Sequence, residues 1–324
     1  MKYYQVKGLD KPVSEIILGT GWFNLAPAEQ VNELMEAYVA SGGNVLDTGR
    51  FYGVGKSERV VADWIKSTGK REELVLINKA GHHYVDENNV HYPEVSRVKP
   101  ECITEDLEYS LNNMQLEYFD MYLLHRDDVT VPVGDLMDRL EQHHKEGKIK
   151  AYGVSNWSIE RIEESMAYCE AKGYQGISVN NPSYSLARVD TPRWVGAVYA
   201  DDAYARWHEG KDVFLISWAS QAAGFFADIY PTDGTAPADI IAAYFNDENF
   251  EKLHRCNILA AEKGQDVEPI NVALAYVLSQ GFPVAAVAGP RNVKEYLSTL
   301  KVLDLKLTPA EVAYLSLQTN SVTA

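Results

Sequence analysis

Eight short apolar runs alternate along the chain with segments of helical periodicity, and this alternation restricts the fold more than any other feature. The runs are Ile16 to Leu18, NVLD ending at Asp47, ELVLIN ending before Lys79, and FDMYLLH ending at His125. They continue with IKAYGVS ending at Ser155, GISVN ending at Asn180, DVFLISW ending at Trp218, and PVAAVAG ending at Gly289. A run that is apolar throughout suits a parallel strand with helices packed on both of its faces. Eight such units in 324 residues predict a closed (β/α)8 TIM barrel, an α/β fold forming one domain over 1–324. A doubly wound sheet would more often carry a GxGxxG turn after its first strand, and none is present.

Composition narrows the partners. A formal net charge of −16 argues against nucleic acid and against an anionic membrane surface, both of which attract clustered Lys and Arg. Cys102, Cys169 and Cys256 lie far apart with no CxxC pair, so neither a zinc ribbon nor a disulfide framework is expected, and no metal. The N-terminal stretch has no apolar h-region, and no run of about 18 apolar residues occurs, so a soluble, cytoplasmic protein is expected. No residue pattern specifies an oligomeric state.

The strand ends carry the chemistry. In a (β/α)8 barrel the C-terminal ends of the strands converge on one mouth, which would gather Asp47, Lys79, His125, Ser155, Asn156, Asn180 and Trp218. In NVLDTGRFYGVGKSE, Asp47 ends an apolar run, Gly49, Gly53 and Gly55 punctuate a loop carrying Tyr52, and Ser57 reads as a helix N-cap. A carboxylate ending a buried strand calls for a partner. Alternatively, Asp47 caps the loop and Tyr52 fills a gap. If Asp47, Tyr52, Lys79 and His125 meet, the ammonium stabilises the phenolate and the carboxylate holds the ammonium in place. Tyr52 then serves as general acid for a carbonyl or general base for an alcohol, with His125 assisting. Such a set needs an external hydride but neither a metal nor a covalent nucleophile.

Four motifs in order resemble the aldo-keto reductase superfamily over nearly the whole chain. They are DTGRFYGVGKSE, VLINK, DMYLLH and GVSNW. The resemblance implies a catalytic tetrad of Asp47, Tyr52, Lys79 and His125 and a bound NADP or NAD. It also implies that Ser155 and Asn156 hold the nicotinamide carboxamide, that Asn180 stands in for a usual Gln, and that Trp218 stacks on the nicotinamide ring. Gly19, Thr20, Gly21, Ala219 and Gln221 would complete the cofactor cleft. In AGPRNVKEYLSTL, Gly289 and Arg291 fall where the family binds the adenosine phosphate, with Glu295 and Thr299 in place of the usual Arg or Gln and Asn. A carboxylate repels a 2′-phosphate but accepts a hydrogen bond from a free 2′-hydroxyl, so NAD use is expected alongside NADP.

Long connections over about 182–210 and 225–247 are expected as walls or lids of the mouth. Trp22, Phe51, His82, Trp157 and Arg188 are the candidate substrate-lining residues, joined by His83 and Trp194. Aromatic walls with polar edges suit a small carbonyl compound or a sugar. The alternative is a cofactor-binding regulatory subunit of the same fold that acts through a protein partner. A Schiff-base role for Lys79 is disfavoured, because a neighbouring carboxylate raises the amine's pKa.

Overall fold

The computed structural model describes residues 1–322. Eight parallel strands close into a barrel: β1 (Ile16–Gly19), β2 (Val45–Asp47), β3 (Val75–Ala80), β4 (Phe119–Leu124), β5 (Ile149–Ser155), β6 (Val179–Asn181), β7 (Phe214–Ser217) and β8 (Val284–Ala288). Neighbours in sequence are neighbours in the sheet, and β8 pairs with β1 to complete the ring. This is the expected (β/α)8 TIM barrel.

Alternation along each strand sorts the side chains into two cores. Ile17, Val45, Val75, Ile77, Met121, Leu123, Ala151, Val179, Phe214, Ile216 and Ala285 pack together inside the barrel. Residues of the other parity, such as Leu46, Leu76, Tyr122, Tyr152, Leu215 and Ala286, face the helices. Each buried Leu, Ile or Val contributes about 1.5–3 kcal/mol over an exposed one, so this parity is strongly held. Gly153 on β5 is required by a close approach: an added Cβ would lie 2.2 Å from the Val179 carbonyl oxygen of β6.

The helices α1 (Ala28–Ala40), α2 (Lys56–Thr68), α3 (Pro100–Met114), α4 (Val133–Lys145) and α5 (Ile159–Lys172) follow β1 to β5 in turn. The second half is less regular. Only the five-residue α6 (Asp202–Arg206) lies between β6 and β7. Three helices, α7 (Ala238–Tyr244), α8 (Asp247–Lys263) and α9 (Pro269–Leu278), precede β8, and α10 (Val293–Leu300) and α11 (Pro309–Leu315) follow it. Ser57 is not the N-cap of α2. The helix starts at Lys56, two residues earlier than that cap implies, behind Gly55 at φ +82°, and the Ser57 hydroxyl bonds Asn24 instead.

Two antiparallel pairs stand outside the barrel. Tyr3–Tyr4 pairs with Val13–Ser14, and Val6, Leu9 and Val13 from this segment close the N-terminal end of the barrel core. At the other end, His83–Val85 pairs with His91–Ser96 to form a hairpin. Its turn is built on Asp86, whose carboxylate accepts the Asn88 and Val90 N–H groups.

Candidate active site

Parity places the polar strand ends. Asp47 lies two residues beyond Val45, Lys79 two beyond Ile77, and His125 two beyond Leu123, so all three continue the inward-facing rows. Lys79 is almost fully buried; its ammonium pairs with the Asp47 carboxylate and donates to the Thr48 carbonyl at 3.2 Å and the Tyr52 hydroxyl at 3.1 Å. The Tyr52 ring stands edge-on to His125, with centroids 5.9 Å apart. The four residues do meet. The loop-cap alternative for Asp47 fails because its carboxylate is spent on Lys79.

Electrostatics follow from burial and pairing. Burial disfavours the charge on Lys79, but Asp47 and then Tyr52 outweigh it, and its pKa is raised; the amine stays an ammonium. Burial likewise raises Asp47, against the pull of Lys79. For Tyr52 the sequence expectation was a lowered pKa. Burial wins over the Lys79 charge, however, and the pKa is raised, so the phenol holds its proton. His125 is driven well below its ordinary value by burial, then by His82, Arg126 and Lys79, and is neutral. Its Nδ1 is buried without a hydrogen-bond partner. The arrangement is a proton-loaded phenol wired to a fixed cation, with a neutral imidazole beside it.

Around this group, the Phe51 ring stacks on His82 at 4.6 Å, and His82 lies 4.8 Å from His125. Trp22 is nearly buried beneath the Arg291 guanidinium, 5.5 Å from its ring. Two expected lining residues are otherwise engaged. Trp157 has no exposed surface; its indole donates to the Arg126 carbonyl at 3.1 Å and its ring packs in the helix layer. Arg188 is engaged by Asp190 at 2.9 Å and Glu248 at 3.1 Å. Arg126, absent from the expected set, reaches the mouth. It donates to the His125 carbonyl at 2.9 Å and to the Val195 carbonyl at 3.2 Å, and burial lowers its pKa. Its signal was a cation directly following a strand-end histidine.

The cofactor positions separate in the same way. Asn180 has the outward parity: its amide reaches Tyr204 at 3.1 Å and His208 at 3.2 Å, in the helix layer. The inward amide is Asn181, two residues beyond Val179, next to Ser155 through the Ser155 hydroxyl and the Asn181 carbonyl at 2.6 Å. The Asn181 Oδ1 is buried and unpartnered. Asn156 is saturated, donating to the His125 carbonyl at 3.0 Å and Ser155 Oγ at 2.9 Å and accepting from the Val198 N–H at 3.0 Å. Trp218 sits under Trp194 and Tyr199, with centroids at 5.5 and 5.7 Å. Thr20 is buried and bonds the Asp47 carbonyl at 3.0 Å. Gly19 and Gly21 flank it, with Gly21 beside the Tyr52 ring.

After β7, three alanines, Ala219, Ala222 and Ala223, hold left-handed backbone near φ +50°, and Gly224 follows at +85°. Left-handed backbone costs a non-glycine residue about 1–2 kcal/mol. Such turns also aim backbone N–H groups into an anion-binding concavity. Gln221 lies within this stretch. At α10 the Glu295 carboxylate accepts the Arg291 N–H at 2.7 Å and the Asn292 amide at 3.1 Å, placing a negative charge at the helix N-terminus. The Thr299 hydroxyl is turned back onto the Glu295 carbonyl at 3.1 Å. Gly289 has open space where a Cβ would be.

Fold and site together can be set against known proteins. The aldo/keto reductase family model matches residues 15–317. The chain is 26% identical over 293 residues to the aldo-keto reductase yakc [NADP(+)] of Schizosaccharomyces pombe, spanning 88% of this chain and 81% of that one. It is 23% identical over 312 residues to the oxidoreductase YrpG of Bacillus subtilis, spanning 95% and 92%. Among solved structures, the glycerol dehydrogenase AKR11B4 of Gluconobacter oxydans superposes with a TM-score of 0.77 at 25% identity, over 97% of this chain and 93% of that one.

The chain belongs to the aldo/keto reductase family. It is an NAD(P)-dependent oxidoreductase of the carbonyl–alcohol type. Among the described residues, no helix is long and apolar enough to cross a membrane.

Proposed function

We propose that this single barrel domain interconverts a small carbonyl compound or sugar with its alcohol, with Tyr52 exchanging the proton and Lys79, Asp47 and His125 supporting it. The observation that carries this reading is the buried chain from Asp47 through Lys79 to the Tyr52 hydroxyl, opening beside a neutral His125. The nicotinamide, when bound, supplies or accepts the hydride. In reduction, the Tyr52 hydroxyl donates a proton to the carbonyl oxygen as negative charge develops there, and the ammonium of Lys79 stabilises the phenolate left behind. The imidazole of His125, held neutral, donates an N–H to the same oxygen without adding a charge that would discourage the phenol's proton loss.

The residues present fit the cofactor. Trp218 offers a ring face, Asn181 a buried amide oxygen without a partner, and the left-handed turn over 219–224 a seat for the pyrophosphate. Ser155 lies beside Asn181, and Gly289 and Arg291 lead to α10. The carboxylate of Glu295 at that helix end favours a free ribose hydroxyl over a 2′-phosphate, so NAD serves at least as well as NADP. The glycerol dehydrogenase likeness supports a small polyhydroxylated substrate. Tyr52→Phe tests the reading. Turnover should fall by about 100-fold or more, the usual worth of a positioned acid, while the affinity for NADH is kept. Turnover near the wild-type level would remove Tyr52 from this role.

A further inference from the structure

The mouth hairpin carries three imidazoles that the proposed proton transfer does not require in common. His82 precedes its first strand, His83 opens that strand, and His91 opens the second. One ring nitrogen from each lies within 4.8 Å of the others. The pairing register sets His91 opposite Val85 and His83 opposite Ser96, and the His83 and His91 rings meet diagonally with centroids 5.0 Å apart. Their Nε2 and Nδ1 atoms are 2.7 Å apart.

Two neutral imidazoles in that contact share a single proton, and its migration to a far ring nitrogen frees both lone pairs for a metal. His82 is fixed in the complementary way. Its Nδ1 lies 3.2 Å from the His83 carbonyl oxygen, which can only accept, so Nδ1 carries the hydrogen and Nε2 offers its lone pair. A carbonyl holding the far nitrogen of an imidazole is the usual support of a metal-ligating histidine. Burial and nearby positive groups also favour the neutral form of His82 and His83. Burial, then Arg126 and His83, lower His82 to about 2, and burial, then His91 and Arg126, lower His83 to about 4. Ligands at a tetrahedral zinc-type ion sit about 3.3 Å apart when each bond is about 2.0–2.1 Å, so the His83–His91 contact need open by only about 0.6 Å.

We propose that His82, His83 and His91 form a three-imidazole site for a divalent first-row transition ion of the zinc class. Imidazole donors select such ions over Mg²⁺ and Ca²⁺, which prefer oxygen. Three protein ligands leave one position for water or a substrate oxygen. Arg126 opposes the ion, Glu94 favours it, and the overall charge of −16 draws cations to the surface. Because His82 packs against both Phe51 and His125, a bound ion pins the hairpin beside the reacting centre.

The test uses full-length protein stripped with a chelator and titrated with ZnCl₂ by calorimetry and with CoCl₂ by visible absorption. One equivalent should bind, Co²⁺ should show the intense d–d bands of a low-coordinate site, and excess MgCl₂ should not compete. His91 is exposed, so His91→Ala should keep the fold by circular dichroism and lose affinity. The loss should exceed the about 10–100-fold typical of removing a mere supporting partner. His83→Gln should do the same, and His254→Ala, on a remote helix, should leave binding unchanged. Absence of saturable binding, or equal affinity in His91→Ala and wild type, overturns the site.

Discussion

Lys79→Met is the perturbation for which the structure allows the fullest forecast. Lys79 and Asp47 are only 1% and 4% exposed, and the ammonium also satisfies the Thr48 carbonyl and the Tyr52 hydroxyl. Methionine fills most of the same volume, so the cavity contribution is small. What remains is a carboxylate sealed from water without its cation. Breaking a buried pair from one side costs about 3–5 kcal/mol. For a chain of 324 residues that corresponds to about 4–7 °C in Tm. The double variant Asp47→Asn with Lys79→Met removes both charges and should return to within about 1–2 kcal/mol of wild type, while staying inactive. The pH dependence has a definite sign. Burial raises the folded pKa of Asp47 above its ordinary 3.8, and removing Lys79 removes the influence that lowers it. The folded state then binds the proton more readily than the unfolded state. Lys79→Met should therefore gain stability relative to wild type as pH falls from neutral through the folded pKa, with no further gain below about 3.8. Urea midpoints and thermal melts between pH 4 and 8 measure this. A single variant within about 1 kcal/mol of wild type at pH 7, or a double variant no more stable than the single, would refute a charged buried pair.

Further expectations concern the cofactor cleft and the barrel. Glu295→Gln should improve NADP(H) affinity relative to NAD(H) by about fivefold, from removing about 1 kcal/mol of surface repulsion, and fluorescence titration measures the ratio. An unchanged ratio would exclude Glu295 from cofactor choice. Asn181→Ala should weaken cofactor binding in the same titration, whereas Asn180→Ala should lower thermal stability and leave binding alone; the reverse pattern would contradict the strand parity. Gly153→Ala forces a Cβ against the Val179 carbonyl and should cost about 1–3 kcal/mol in urea unfolding. His82, His83, His125 and His208 are all lowered by burial, so they contribute stability above pH 6.5 that is lost as pH falls below it, visible as an acid-side decline in Tm.

The barrel was legible because each strand is apolar on both faces and ends abruptly in a residue that burial alone would not choose. Asp47, Lys79 and His125 were identifiable for that reason: each follows two positions after an inward apolar residue. The same rule, applied strictly to GISVNN, would have selected Asn181. Asn180 ends the apolar run itself, and a slip of one residue turns a side chain to the opposite face. The mouth hairpin left no hydrophobic trace. HYPEVS is solvated along nearly its whole length, so no periodic apolar pattern marks it, and of the three hairpin histidines only His82 and His83 stand out as pocket candidates. Trp157 and Arg188 show the limit of residue type as a guide. An indole can reach its hydrogen-bond partner deep in a helix layer, and an arginine can be claimed by two nearby acids. The sign of the Tyr52 shift is not legible in the sequence, which shows which charges are near but not how much water burial removes.

The segment containing Val6, Leu9 and Val13 stoppers the barrel at the end remote from the tetrad. Apolar side chains fill the barrel from that end toward the strand tips, so ligands meet it at the C-terminal face. Were one ligand to lodge beneath another at that face, the lower would arrive first and leave last. A hairpin stiffened beside that face by a bound ion would then bear on both entry and exit.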